Sequence, residues 1–183
     1  LEAKRLERLT TDFLTYARPG SGSFRQVDVS VLIGYIVSIV QPHALQKHLQ
    51  IDATGWERCQ LFGDEGQIQQ ALLNLMRNAI EASPQNARIS ITVESVTEGY
   101  FHIRIENAGS AIPSHIVQHI FEPFFTSKEG GTGLGLAIVR SIVDRHRGEL
   151  MLERNDPDHI VFTMALPILE PNKDAQLHLD TEF

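Results

Sequence analysis

Two stretches of the chain combine residue types and spacing suited to chemistry on an anion. The first is Gly130-Gly131-Thr132-Gly133-Leu134-Gly135, which runs into a predicted helix from about Gly133 to His146. Glycines let a backbone approach its ligand closely, and the first amide N–H groups of a helix are unpaired and point outward. A triphosphate is the natural guest of such a loop. No Gly-Lys-Ser or Gly-Lys-Thr follows, so this is not a Walker A loop, and no strand is predicted directly ahead of it, which disfavours a dinucleotide fold. The second stretch is Asn74, Asn78 and Glu81, at i, i+4 and i+7 of a predicted helix from about Glu65 to Ala82. That spacing puts the three on one face. Two Asn inside a helix do not help the helix form. The Asn78 amide oxygen suits Mg2+, which keeps several waters and shares phosphate oxygens with one or two protein ligands. Together the two stretches suggest a Mg-nucleotide site. Taken singly, each has a plainer reading, a flexible loop and a solvated polar face. His115 and His119 are also four apart, but no glutamate completes a zinc motif around them.

These residues need a scaffold. The chain has 183 residues, 42% apolar and 21% charged, the balance of one soluble domain with a short appendage. The longest apolar stretch, Val31 to Val40, is interrupted by Gly34, Tyr35 and Ser38. It falls short of the ~20 residues that cross a bilayer. The start is charged and amphipathic, unlike a secretory leader. A single cysteine, Cys59, excludes an internal disulfide and a cysteine metal cluster. The net charge of -7, with no basic block to offset it, argues against nucleic acid as the main ligand.

Along the chain, residues 1–18 read as a helix whose Leu6, Leu9, Phe13 and Tyr16 form a short coiled-coil seam. The breaker cluster at 19–23 reads as a linker, 24–170 as the main domain, and 171–183 as an acidic, frayed tail. Strands are expected at 24–28, 49–53, 58–62, 88–96, 100–106, 149–153 and 159–166. Asp28 or Ser30 caps a helix with a core face of Val29, Leu32, Ile33, Ile36, Val37 and Val40, which Pro42 interrupts. The helix bearing the asparagines buries Ile68, Ala71, Leu72, Leu75, Met76 and Ala79. Ile138, Ile142 and Val143 face inward on the helix after the glycines. Residues 113–132 lack a clear period and are too long for an ordinary connection, so they read as a lid.

Four segments then resemble one family in its own order. Asp64 to Ala79, with Asn74 and Asn78, resembles the asparagine box of sensor histidine kinases. Asn107-Ala108-Gly109-Ser110-Ala111-Ile112 resembles their first glycine box, Phe121-Glu122-Pro123-Phe124 their phenylalanine box, and Gly131-Thr132-Gly133-Leu134-Gly135-Leu136 their second glycine box. The style is that of the nitrogen-regulation and sporulation kinases. The resemblance implies a two-layer α/β sandwich of the Bergerat type, with a mixed sheet, helices on one face and ATP under a mobile lid. It implies that Asn78 holds Mg2+, that Asn74 lines the phosphates, that Asn107 meets the adenine amino group, and that Gly109 and Ile112 are among the ATP-binding residues. It has Gly131, Gly133 and Gly135 shape the phosphate end of the lid, with Thr132, Leu134 and Leu136 also among the ATP-binding residues. Phe121 and Phe124 would couple lid to domain, and Arg77 and Lys128 are candidate phosphate contacts. The implied partners are the dimerisation and phosphoacceptor helices of the same protein, a homodimeric full-length form and a response regulator. The implied location is cytoplasmic, under a parent that can be membrane-anchored. Residues 1–18 resemble the end of the second dimerisation helix.

This sequence departs from the family pattern at several places. The adenine-reading Asp is Asn107, the second glycine of the first box is Ala111, and the Gly-Thr before the last strand is His159-Ile160. Glu81 stands where many members carry a basic residue. None of the eight histidines has the context of a phosphoacceptor, which is expected ahead of Leu1. Two other readings therefore stay open: a nucleotide-responsive interaction module without kinase activity, and an ATPase of the wider superfamily that includes gyrase. Gyrase-like members carry a water-activating glutamate at the place of Asn74, and an amide is a poor base. Asn74→Glu is expected to raise ATP hydrolysis, measured as phosphate release. Unchanged turnover would count against the water-activation argument.

Overall fold

The computed structural model describes residues 23–55, 60–96, 99–128 and 131–168, with Thr10, Phe13 and Leu14 ahead of them. Those three are helical and exposed. The rest of the expected 1–18 helix, most of the 19–23 linker, Cys59 and the 171–183 tail lie outside the described residues. The elements are β1 (Arg25–Asp28), α1 (Val29–Gln46), β2 (Gln50–Thr54), β3 (Gln60–Gly63), α2 (Glu65–Ala82), β4 (Arg88–Val96), β5 (Tyr100–Asn107), α3 (Ser114–Val117), α4 (Gly135–Arg145), β6 (Glu149–Asp156) and β7 (His159–Pro167).

Five strands form a mixed sheet in the order β2-β4-β5-β7-β6, and β1 pairs with β3 in a separate two-stranded ribbon. β2 runs parallel to β4, and the other neighbours are antiparallel. Strict alternation decides the inward face. Along β5, Phe101, Ile103, Ile105 and Asn107 are buried in turn, because side chains two apart share a face. Ile89, Ile91 and Val93 do the same on β4. The helices cover this one face, giving the two-layer sandwich expected from the sequence.

α1 starts at Asp28, whose carboxylate accepts the N–H groups of Ser30 (2.8 Å) and Val31 (3.3 Å). Val29, Leu32, Ile33, Ile36, Val40 and Ala44 face the core. Burying each large aliphatic chain contributes about 1.5–3 kcal/mol. Pro42 lies within the helix rather than ending it. Pro42 and Ser38, whose carbonyl loses its usual helix donor, are both exposed, so water can take the lost bond's place. By length and composition alone, α1 is long and apolar enough to cross a membrane. Its inward stripe is nonetheless part of the domain core.

α2 carries the two asparagines and is held at both ends. At its start Asp64 Oδ1 accepts Gln67 N–H (3.1 Å), and Gln67 Nε2 reaches back to Asp64 Oδ2 (2.7 Å). The Asp64 N–H donates to Nε2 of His146, which caps α4 (3.0 Å). At its end the Lys47 ammonium donates to the carbonyls of Ile80 (2.8 Å), Glu81 (3.1 Å) and Ser83 (2.8 Å). A cation there also suits the negative end of the helix dipole.

Two boundaries differ from the sequence expectation for identifiable reasons. α4 begins at Gly135, not Gly133, because Gly133 has φ +68°, outside the helical region. β6 extends to Asp156, beyond the expected 153, because a bulge between Leu152 and Arg154 breaks the alternation that marks a strand.

His146 is the buried titratable group in this frame. Its Nδ1 bonds the Ile142 carbonyl (2.8 Å), its Nε2 accepts from Asp64, and its ring stacks on Phe24 at 4.8 Å. An Nε2 that accepts is unprotonated, so the ring is neutral. Burial holds its pKa below the ordinary 6.5. The unfolded chain therefore binds this proton at a higher pH than the folded one, and stability falls as pH drops below about 6.5. His146→Gln is expected to flatten this part of the pH dependence of Tm between pH 7 and 5. An unchanged slope would remove His146 as its source.

Candidate functional site

A cavity of about 350 Å³ opens where the inward face of the sheet stops being apolar. One wall is the polar face of α2, with Asn74, Arg77, Asn78 and Glu81. The floor is Asn107 at the end of β5, with Ile160 and Phe162 of β7. The segment from Ser110 to Pro113 forms a second wall. The lid supplies Ile116, Ile120 and the run from Phe125 to Lys128. Gly131, Thr132, Gly133, Gly135 and Leu136 close the end near α4.

The structure thus brings Asn74, Arg77, Asn78, Asn107, Ile112, Lys128, Gly131, Thr132, Gly133, Gly135 and Leu136 to one cavity. Gly109, Phe121, Phe124 and Leu134 are not among its lining residues. Gly109 packs the loop onto the end of α2, where a Cβ would come within 3.1 Å of the Ala82 carbonyl oxygen. Phe121 meets Phe162 edge-on at 6.3 Å, with Arg140 5.9 Å above its ring. Phe124 is exposed at φ +65°, and its backbone lies against Gly133. Leu134 is fully buried beneath the start of α4.

Two glycines of the loop differ in what they require. A Cβ on Gly133 would lie 2.4 Å from the Phe124 carbonyl carbon, and its φ is positive. A Cβ on Gly135 would meet only Asn78 Nδ2, at 3.8 Å. Gly133 is therefore fixed by packing against Phe124, whereas none of the described residues crowds Gly135. No side chain caps the α4 N-terminus. Its first amides face a space that borders Asn78.

Charge at this end is organised around Lys128. Its ammonium donates to Glu81 Oε2 (2.6 Å) and to Asn78 Oδ1 (3.3 Å). A cation thus already rests on the amide oxygen that suits a metal. Among the described residues, Asn74 Nδ2 is buried with no hydrogen-bond partner, a donor left for an acceptor. At the opposite end Asn107 is buried and its Nδ2 donates to the Ala108 carbonyl (2.8 Å). Its oxygen is the atom left to accept from a ligand. Ala111 is not among the residues with positive φ, so the alanine in place of glycine carries no left-handed strain. Ile160 faces Asn107 in register and makes that part of the floor apolar.

Sequence reasoning missed the lid's inner apolar residues, Ile116, Ile120 and Phe125, because the lid has no period to read. It also missed Asn155, which sits past the bulge in β6.

Residues 63–170 match the family described as Histidine kinase-, DNA gyrase B-, and HSP90-like ATPase. Sensor histidine kinase ZraS of Escherichia coli (strain K12) is 33% identical over 176 residues, 96% of this chain and 38% of that protein. Sporulation kinase E of Bacillus subtilis (strain 168) is 27% identical over 168 residues, 91% of this chain and 23% of that protein. The chain therefore spans well under half the length of these relatives. The catalytic domain of histidine kinase ThkA superposes with a TM-score of 0.72 at 31% identity, over 80% of this chain and 96% of that domain. ThkA in complex with response regulator protein TrrA gives a TM-score of 0.76 at 28% identity, over 92% of this chain and 48% of that one. With this match, and with likeness to ThkA over nearly the whole of its catalytic domain, the chain belongs to the histidine kinase-, DNA gyrase B- and HSP90-like ATPase family, as an ATP-binding domain of the sensor histidine kinase type.

Proposed function

We propose that this chain is the catalytic half of a sensor histidine kinase, which takes ATP with Mg2+ and passes the γ-phosphate to a histidine on a dimerisation helix. The observation that carries this reading is the Lys128 ammonium on Asn78 Oδ1, beside the uncapped start of α4. The residues present fit a Mg-nucleotide: a neutral amide oxygen already bearing a cation, an orphaned Asn74 donor, and a helix start that no protein atom crowds. Asn78 would hold the metal ion, which would neutralise charge on the phosphate oxygens when bound.

The chain's own groups do the remaining work. The first amides of α4 bind phosphate oxygens, and Gly135 lets them approach. Asn107 accepts from an adenine amino group, while Ile112, Ile160 and Phe162 offer the base an apolar slot. Asn107 lacks the charge of the usual Asp, so this hydrogen bond is weaker. Arg77 and Lys128 are the nearby cations for the phosphates. Asn74 donates a hydrogen bond but cannot take a proton from water. The γ-phosphate is therefore kept for the acceptor, and catalysis is positioning and charge stabilisation. The acceptor helices, their homodimer and a response regulator are the proposed partners, and ThkA in complex with TrrA supports the last of these. ATP supply puts the domain on the cytoplasmic side of its parent, membrane-anchored or not.

Calorimetric titration with ATP, with and without magnesium, tests this reading. Binding is expected to strengthen with magnesium, and Asn78→Ala is expected to abolish that gain. Equal binding with and without the metal would overturn the metal assignment. Gly135→Ala is expected to leave Tm unchanged or raised, since alanine suits a helix, and to weaken ATP binding about tenfold. Unaltered affinity would sink the phosphate assignment. Phosphate transfer to a supplied acceptor-helix domain separates a kinase from a binding module.

A further inference from the structure

The segment from Ala108 to Pro113 has no regular structure of its own, and its Ser110–Pro113 part is a wall of the cavity. It leaves β5 at Asn107, passes the end of β7 and reaches β6. Two contacts from the β6–β7 hairpin hold it. The Asp158 N–H donates to the Gly109 carbonyl (3.2 Å). Further along, the side-chain amide of Asn155 bonds both backbone groups of one residue. Its Oδ1 accepts the Ile112 N–H (2.7 Å) and its Nδ2 donates to the Ile112 carbonyl (2.8 Å). An amide side chain pairing in this way does what a neighbouring strand would do. Between these two anchors lie Ser110 and Ala111, both lining the cavity.

Register explains why Asn155 is available. Asn107 of β5, Ile160 of β7 and Asn155 of β6 form one row across three strands. Residues directly opposite one another share a face. Asn155 therefore stands on the helix-facing side with Asn107 and Ile160. The bulge in β6 makes it so. Before the bulge Leu152 pairs with Phe162, and after it Arg154 pairs with Val161 and Asn155 with Ile160. Without the extra residue, the partner of Ile160 would be Arg154. A bulge that re-aims a side chain next to a site is a recurrent device in sheets.

Resting on the nucleotide reading above, we propose that Asn155 is a positioning residue that fixes the base-facing wall of the cavity and so sets selectivity for adenine. It touches the backbone of Ile112, and through that backbone it determines how closely the 110–112 segment approaches the base held over Ile160. The bulge and the amide act together, one aiming and the other holding. No Gly-Thr pair precedes β7 here. The selectivity this inference assigns comes from the fit of the wall and from Asn107.

Asn155→Ala tests the inference, with Asn155→Asp as an isosteric variant that keeps the acceptor and loses the donor. Amide exchange at Ile112, read by NMR without nucleotide, is expected to accelerate at least tenfold in Asn155→Ala. ATP affinity is expected to fall about tenfold for the loss of two hydrogen bonds. GTP affinity is expected to change less, so the ATP to GTP ratio moves toward unity. Asn155→Asp is expected to lie between the wild type and the alanine variant. A merely structural role would lower Tm and leave the ratio unmoved, which would overturn the inference. So would unchanged exchange at Ile112. Failure of the wild-type chain to bind ATP would overturn the nucleotide reading and this one together, whereas ATP binding with an unmoved ratio would overturn this one alone.

Discussion

The placement of α2 is the constraint on which the rest of the structure depends. Asn74 and Asn78 lie on its polar face, and both must stand at fixed distances from the start of α4 and from the end of β5. Packing alone fixes the stripe of Ile68, Leu72, Leu75 and Met76 against the core. A stripe of aliphatic side chains resists lifting more than it resists sliding along the helix axis. Polar contacts at the two ends supply that second restraint. Asp64 ties the N-terminus to His146 on α4, and Lys47 clamps three carbonyls at the C-terminus. The ammonium is paired with fixed dipoles and satisfies two of the last carbonyls of α2, those of Ile80 and Glu81.

The cavity follows from how the sandwich is closed. Along β5 the inward positions are Phe101, Ile103 and Ile105, and then Asn107. The core ends where the alternation reaches a polar residue. Beyond it the lid covers the opening with Ile120 and Phe125 on its inner side. The site is therefore apolar at the sheet end and polar at the α4 end. A nucleotide has that same division between base and phosphates. The row of Asn107, Ile160 and Asn155 marks the boundary and binds the loop that completes it.

Much of this was legible in the sequence, and the reasons differ by element. α2 showed a clean 3.6-residue stripe, and its off-stripe asparagines were conspicuous because they do nothing for the helix. The strands showed strict alternation. Gly135 and Gly133 announced an anion loop, but the sequence could not separate the glycine needed by Phe124 from the glycine that leaves room for a ligand. That distinction lives in tertiary contacts. Ala111 read as a departure from the family pattern, and only the structure shows that its backbone lies outside the left-handed region. Asn155 was invisible because a bulge resets the period of β6 just before it. Residues 1–9 and 169–183 lie outside the described residues, so the seam and tail readings rest on sequence alone.

The Lys128 end of the 113–128 segment is held to α2 by weak contacts. The Lys128–Glu81 pair is 2.6 Å long, yet both side chains are more than two-fifths exposed. Exposed pairs of this kind contribute about 0–1 kcal/mol. The bond to Asn78 Oδ1, at 3.3 Å, is longer still. A ligand bearing several negative charges competes for the same ammonium with more charge than one carboxylate offers. Lys128 can therefore leave Asn78 at little cost, and in the proposed reading that would free the oxygen for the metal ion. Phe121 has a different place in the lid. It is packed against Phe162 and covered by Arg140, so this part of the segment is anchored to the domain while its Lys128 end is lightly tethered. In the proposed reading, a cation held at Asn78 would replace the Lys128 ammonium without disturbing the core beneath it.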